Sequence, residues 1–378
     1  MQKKRVLILH GQPGMGHLMP AKAVVEAFSI KYPEIEVKNE DAFAFFSDIL
    51  RYRYSPFYNL IVFKAPILFK LFYDGYNYSA IRAIYELVTL LFTKKHKLVT
   101  FIEDFSPDFI LATNPVPLQM LSLIKKREIT DIPSGNVCTD FGFHSVWYDK
   151  SINYYFVAND FIKKSFIKQG ASQDVIKITG IPVAQKYVQL PDRQKILADL
   201  NFDPSYPILL IIGGQLQYRE LKGIILGIKK HNKRAQVILV AGRDKKLQKK
   251  LRNSRLKNEA GVKIFNFVNN LQEYMSVADL VLSKAGGSTV AECLVMGLPM
   301  IFNRIIPGQE TDNVNYLVNS GAGVKAVGVK KIVEKAVDLL NHREKLAEMK
   351  ENCKKIAKPD AASDIADFVA SKILQINN

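Results

Sequence analysis

The sequence predicts an α/β protein of two consecutive doubly wound parallel-sheet domains, and three observations predict it. Short β-branched and leucine-rich runs alternate with helical stretches over most of the 378 residues, the pattern of parallel strands joined by helical crossovers. Two glycine-rich turns, HGQPGMGH and SKAGGST, each follow such a run and lead into a helix. Between the halves lies VAQKYVQLPDRQKILADLNFDPSYP, polar, with three prolines and no strand signal.

Taken in order, the first-half strands are RVLILH, IEVKNE, DFILAT, GNVCTD, YYFVAN and KITGI. Those of the second half are PILLIIG, QVILVAG, VKIFNF, LVLSK, PMIFN and GVKAV. The expected division is an N-terminal domain over 1–187, a linker over 188–205, a C-terminal domain over 206–358 and a terminal helix over 359–378. That helix, DAASDIADFVASKIL, is amphipathic and opens on the cap-type residues Asp360 and Ser363. Two such domains would face each other across a crevice at the carboxyl ends of their strands, where doubly wound sheets bind ligands.

Composition narrows the function. Apolar residues make up 48% of the chain, enough for two real cores. Cys138, Cys293 and Cys353 are odd in number and scattered. They form neither a disulfide framework nor a zinc spacing, which fits a reducing cytoplasm. MQKKRVLILHG reads as a first strand rather than a signal peptide, and no run of eighteen or more uncharged apolar residues is present to span a bilayer. The net charge of +17 asks for an anionic partner. Residues 51–100 hold eight Lys/Arg against two Asp/Glu and are crowded with Phe and Tyr at helix-like spacing. That composition suits an anionic membrane surface, rings entering the boundary and lysines facing headgroups. The alternative is that the aromatics pack on a neighbouring helix. No nucleic-acid motif accompanies the charge, so no nucleic-acid partner is expected.

The site residues come from the turns. The stretch from Leu280 to Asn313 runs strand, Gly286–Gly287, helix, strand, then a polar loop with Gln309, Glu310 and Asn313. Backbone N–H groups at such a helix start bind phosphate while acid and amide side chains read sugar hydroxyls, which points to a sugar nucleotide. Gly286, Gly287, Ser288 and Thr289 are the phosphate candidates. Glu292, one turn on, fits the ribose hydroxyls, or else a Thr289–Glu292 capping box. Gly213 and Gly214 form a second tight loop suited to approach the diphosphate. In the first turn, Gly16 precedes His17, a general-base candidate on the crevice side or a loop histidine bonding backbone. Asp140, His144 and the single tryptophan, Trp147, follow a strand end. They suit an acceptor with hydroxyls or the orientation of a base; the alternative is a turn cap and a core indole. Neither a P-loop ending, an Asp-x-Asp nor a zinc motif is present, so no metal and no cofactor is expected.

These residues resemble a known family. KAGGSTVAECLVMGLPMIFNRIIPGQETDN, GMGHLMPAKAV and VCTDFGFHSVWYDKSINYYFVANDFIKKSFIKQGASQDVIKITGIPV occur in the order seen in processive diacylglycerol glucosyltransferases and monogalactosyldiacylglycerol synthases. They are more distantly similar to the N-acetylglucosaminyltransferase that completes the peptidoglycan lipid precursor. The resemblance implies a GT-B fold, acceptor in the first domain, UDP-sugar in the second, and a terminal helix that crosses back. It also implies His17 as base, Glu292 on ribose, Gly287–Thr289 on diphosphate, Gln309 and Glu310 on the donor sugar, and the Val268 backbone on uracil. GGQLQYRE carries fewer small residues than the family pattern, which bears on Gly214. The expected activity is inverting transfer of glucose or galactose from a UDP-hexose to diacylglycerol or a glycolipid, by a peripheral protein on the cytoplasmic membrane face. Alternatives are a polyprenyl-linked or soluble acceptor, and a non-catalytic nucleotide-sugar and membrane-binding regulator.

Overall fold

The computed structural model describes residues 3–11, 16–48, 51–53, 56, 60–61, 64–213, 216–306 and 308–374. Among them run two parallel six-stranded sheets. The first holds β1 (Arg5–His10), β2 (Glu36–Asp41), β3 (Phe109–Ala112), β4 (Ser134–Val137), β5 (Tyr154–Val157) and β6 (Ile176–Ile178), in the order β2-β1-β3-β4-β5-β6. The second holds β7 (Ile208–Ile212), β8 (Gln236–Val240), β9 (Val262–Phe265), β10 (Leu280–Ser283), β11 (Met300–Phe302) and β12 (Gly323–Lys325), in the order β12-β11-β10-β7-β8-β9. Each strand overlaps one of the twelve runs expected from sequence, with β2, β4 and β6 each extending one residue beyond theirs. The central ones, such as β7 and β8, are apolar without alternation because helices cover both faces of a parallel sheet.

Strand order fixes where a ligand can bind. In the first sheet the winding reverses between β1 and β3, and in the second between β7 and β10. The loops leaving these strands are the switch-point loops of a doubly wound sheet. They contain His17 after β1 and Gly286 after β10.

The chain divides into two compact units. One comprises Met1–Gln185, Ile306–Asp312 and Lys358–Asn378; the other comprises Lys186–Ile305 and Asn313–Ala357. The core of the first unites Val6, Ile8, Val24, Phe28, Leu111 and Phe156 with Ile365, Val369 and Ile373 of the terminal helix Ala361–Ile373. That helix packs on helix Leu18–Lys31, where Asp367 pairs with Lys31 and accepts from the Tyr32 hydroxyl. The stretch expected as a linker is partly ordered. Helix Arg193–Leu200 buries Ile196, Leu197 and Leu200 and contacts helix Leu271–Val277 in the second unit. In that unit Gly223 and Gly227 let helix Val329–Asn341 approach helix Tyr218–His231. A side-chain carbon on Gly227 would lie 2.7 Å from Val333.

The 51–100 stretch includes helices Pro66–Gly75 and Ser79–Phe92. Ile84, Leu87, Val88 and Leu91 recur at helical spacing on the second and are 58%, 52%, 41% and 69% exposed. Ile67, Leu68 and Leu71 are exposed on the first. Among the described residues, eleven of the nineteen large exposed hydrophobics lie in this stretch, so core packing does not account for its apolar faces. None of the helices in the described residues is long and apolar enough to cross a membrane.

Candidate active site

In the first unit, three strand ends converge on the start of helix Leu18–Lys31. His17 occupies its N-cap position, half-buried, with no side-chain cap bond. Thr113, just past β3, donates its hydroxyl to the His17 carbonyl at 3.0 Å and fixes the backbone there. Thr139, past β4, places its hydroxyl oxygen 2.8 Å from His17 Nδ1. With that oxygen accepting from Nδ1–H, Nε2 carries the lone pair that a general base needs. Gly16 precedes the imidazole and is exposed. Gly11, at the exit of β1, has no room for a side chain: a carbon added there would meet Asn114 Oδ1 at 2.8 Å.

Asp140 and Trp147 lie in the same layer. Asp140 is buried and accepts from Trp147 Nε1 at 3.3 Å. The indole is 2% exposed, its ring centroid 6.1 Å from that of His17. His144 faces elsewhere. Its Nε2 donates to the Tyr73 carbonyl at 2.8 Å and its Nδ1 accepts from Val146 N–H at 3.2 Å. Burial pushes its pKa down to about 4, so it is a neutral tether between the loop after β4 and the end of helix Pro66–Gly75. Gly142 in that loop admits Asp312, whose Cβ would lie 2.0 Å from a carbon added at Gly142.

The second unit carries a candidate site of its own. Gly286 is the N-cap of helix Gly287–Val295, and no side chain caps it. The helix start therefore presents backbone N–H groups and the positive end of the helix dipole. A carbon added to Gly286 would lie 3.1 Å from Lys284 Nζ, so an ammonium stands at the same end. Two positive features side by side suit an anion. Ser288 is buried and Thr289 half-buried in the first turn. Fully buried Asn313 donates from Nδ2 to the Ala285 carbonyl at 2.9 Å, tying the polar loop to the glycine turn.

Glu292 lies in the helix interior, and with Gly286 as N-cap the Thr289–Glu292 pair is no capping box. Its carboxyl is 7% exposed, and burial raises its pKa to about 7. The Tyr187 hydroxyl and the Lys186 charge work toward its ionised form. Val268 follows β9, half-buried; its neighbour Phe267 carries the Arg243 guanidinium 4.2 Å from the ring centroid. Glu310 is buried and accepts from Ile306 N–H at 3.2 Å, closing the turn that leads into helix Gln309–Asn319. Gln309 and Glu310 fall in the first unit and Asn313 in the second. Gly214 and the side chain of Gln309 lie outside the described residues. Among those described, no group of three His, Cys, Asp or Glu side chains is disposed to hold a metal ion.

Four residues escaped the sequence reading. Thr139 adjoins Asp140 but carries no motif, and Lys284 reads as an ordinary strand-end cation. Tyr187 sat at the edge of the expected linker. Asn303, after β11, keeps Oδ1 buried without a partner; no signal in the sequence marks it.

Residues 17–183 match the monogalactosyldiacylglycerol synthase family, and residues 208–365 match the glycosyltransferase family 28 C-terminal domain. The chain is similar to the diacylglycerol glycosyltransferases over most of its length. It is 26% identical over 360 residues to the processive diacylglycerol β-glucosyltransferase of Bacillus subtilis (strain 168), covering 93% of this chain and 91% of that one. The corresponding protein of Staphylococcus epidermidis (strain ATCC 12228 / FDA PCI 1200) is 29% identical over 352 residues, with 92% and 88% covered. The fold is that of GT-B proteins. A putative UDP-N-acetylglucosamine 2-epimerase from Listeria monocytogenes superposes with a TM-score of 0.64 at 13% identity, covering 100% and 98% of the two chains. MurG of Acinetobacter baumannii gives 0.62 at 15%, covering 99% and 100%. The protein is an enzyme, a glycosyltransferase, and the two candidate sites above are where its chemistry has to be sought.

Proposed function

We propose that this glycosyltransferase moves a hexose, glucose or galactose, from a UDP-hexose to diacylglycerol or a glycosyl-diacylglycerol, with inversion, at the cytoplasmic face of an anionic membrane. The observation that carries the donor half is the glycine turn with Lys284 over it, Asn313 bracing it and Glu292 buried behind it. Ser288 and Thr289 add hydroxyls to that turn, and Gln309 and Glu310 stand for the hexose. The Val268 backbone is assigned to the uracil. The Bacillus and Staphylococcus relatives, diacylglycerol β-glucosyltransferases by name, support the lipid acceptor. The apolar stripe of Ile84, Leu87, Val88 and Leu91 supports a membrane-borne acceptor over a soluble one.

In this reading His17 Nε2 takes the proton from the acceptor hydroxyl as that oxygen bonds to the anomeric carbon. The bond from that carbon to the diphosphate oxygen breaks on the opposite side, and UDP departs. Thr139 holds the imidazole tautomer, and Asp140 with Trp147 forms the wall behind it. His144 fixes the acceptor loop to helix Pro66–Gly75, and exposed Gly16 leaves room for the acceptor. The N–H groups after Gly286 and the Lys284 ammonium stabilise the charge on the leaving diphosphate. Incubation with labelled UDP-glucose or UDP-galactose and diacylglycerol vesicles should yield a glycolipid. No lipid product from any UDP-hexose would refute the reading.

A further inference from the structure

One aromatic ring lies against both the loop assigned to the acceptor and the loop assigned to the hexose. Tyr73 stands two residues before the end of helix Pro66–Gly75. Its ring centroid is 3.8 Å from that of His144, whose Nε2 donates to the Tyr73 carbonyl at 2.8 Å. On the other loop, a carbon added to Gly308 would lie 2.7 Å from Tyr73 Cδ1. Gly308 has φ +91°, in the left-handed region that favours glycine. It precedes Gln309, and its carbonyl accepts from Thr311 N–H at 3.2 Å in the turn that places Glu310. The same two loops meet again where Asp312 fills the space beside Gly142. Through Thr139, the loop after β4 also holds His17 Nδ1. All of these residues belong to the first unit.

We infer that Tyr73 is a positioning residue for hexose transfer: its ring seats the Ile306–Asp312 loop against the loop carrying Thr139 and His144, so that the hexose is presented to His17 in register. This role rests on the reading of Gln309 and Glu310 as hexose contacts. Glycine is the least restrained of residues, and at position 308 it gives the loop no side chain of its own to pack. The place of the loop is then set by what packs on it, here the Tyr73 ring and the Gly142–Asp312 contact. Transfer needs the acceptor oxygen and the anomeric carbon about 3–3.5 Å apart and aligned, and a misplacement of about 1 Å costs about a hundredfold. The diphosphate contacts assigned to Gly286–Thr289 lie in the second unit, so a displaced sugar loop should spare them. The loss then falls on turnover and not on nucleotide affinity.

The test is steady-state transfer from UDP-glucose and UDP-galactose to diacylglycerol vesicles, beside calorimetric affinity for UDP. Tyr73→Leu should lower kcat roughly tenfold to a hundredfold while UDP affinity stays at the wild-type value. Tyr73→Phe keeps the ring and should restore most of the turnover. Gly308→Ala reaches the same contact from the loop side: its methyl must displace the ring, so kcat should fall with UDP affinity unchanged. With Tyr73→Ala the methyl gains room, and adding Gly308→Ala there should cost less than it does in the wild type. Wild-type turnover in both Tyr73→Leu and Gly308→Ala overturns the role of Tyr73. So does a matching loss of UDP affinity, or a Tyr73→Phe variant no better than Tyr73→Leu. Gln309→Ala separates the two levels. If it transfers as wild type, the hexose reading of the loop fails; if it is impaired while Tyr73→Leu is not, only the positioning role fails. A wild-type protein that makes no glycolipid defeats the lipid-acceptor reading, and this role with it.

Discussion

Replacing Ile84, Leu87, Val88 and Leu91 with glutamine should strip the protein from membranes without disturbing its fold. The four side chains are between 41% and 69% exposed, together equivalent to about two fully exposed aliphatic side chains. At about 1.5–3 kcal/mol per buried side chain, their insertion contributes about 3–6 kcal/mol. The neighbouring Ile67, Leu68 and Leu71 remain, so the expected loss in vesicle affinity is roughly a hundredfold rather than complete. Glutamine is a good helix former, so circular dichroism and the melting temperature should stay put. The charged part of binding has a different source. Lys70 is paired with Asp74 and Lys94 with Asp48, which weakens both as headgroup ligands. Residues 219–263 hold fifteen Lys/Arg against three Asp/Glu, double the local excess of 51–100. Lys245, Lys246, Lys249, Lys250, Arg252, Arg255 and Lys257 are exposed there, and among the described residues none forms an ion pair. Changing the first four to glutamine should remove most of the salt-sensitive binding, at about 1 kcal/mol per cation near an anionic surface. Cosedimentation with anionic vesicles over a salt series checks both. If the glutamine-striped variant sediments like wild type, the apolar faces are not a membrane surface and the lipid-acceptor argument loses its physical support.

His17→Ala should lower turnover roughly a hundredfold or more with UDP affinity intact, and Thr139→Val should cost less, read as kcat for each variant. Lys284→Met should weaken UDP binding and flatten its salt dependence, since it removes one cation from the helix start; unchanged affinity would take Lys284 out of the site. Gly142→Ala must displace Asp312 and should destabilise by about 1–3 kcal/mol, measured by denaturant unfolding. His144 gives a pH signature. Its folded pKa lies below the unfolded value, so its contribution is complete above about pH 6.5 and drains by up to about 1.4 kcal/mol per unit as pH falls toward 4. His144→Gln keeps a donor for the Tyr73 carbonyl and should flatten unfolding free energy over that window.

The fold was legible because its signals are local and repeated. A strand buried on both faces must be an apolar run, and twelve such runs separated by helices leave a doubly wound arrangement as the economical solution. What escaped depends on partners far away in the chain. Thr139 reaches His17 across 122 positions, and nothing beside Thr139 announces an imidazole. Lys284 joins the anion site only because its side chain turns back over Gly286. A larger cationic excess than that of 51–100 sits on amphipathic helices such as Lys245–Arg252. That helix is anchored by Leu247 and Leu251 and looks like a plain solvated face.

Glu292 shows where spacing stops and topology begins. Thr289 and Glu292 stand three apart, as a capping box requires, and helices favour such boxes where a polar residue starts them. Here the helix starts three residues earlier, at a glycine, because β10 must turn at once into the helix at the switch point. With glycine at the N-cap no side chain caps the first turn, and the positive end of the helix suits an anion there. Moving the start back also carries Glu292 into the helix interior, where burial works against its charge. The shift that removes a stabilising cap thus creates both an anion site and a buried acid one turn behind it. A designed Gly286→Ser cap should therefore stabilise the helix by about 0.5–1 kcal/mol while weakening UDP binding. A variant that gained stability and kept its affinity would show that the helix start does not hold the diphosphate.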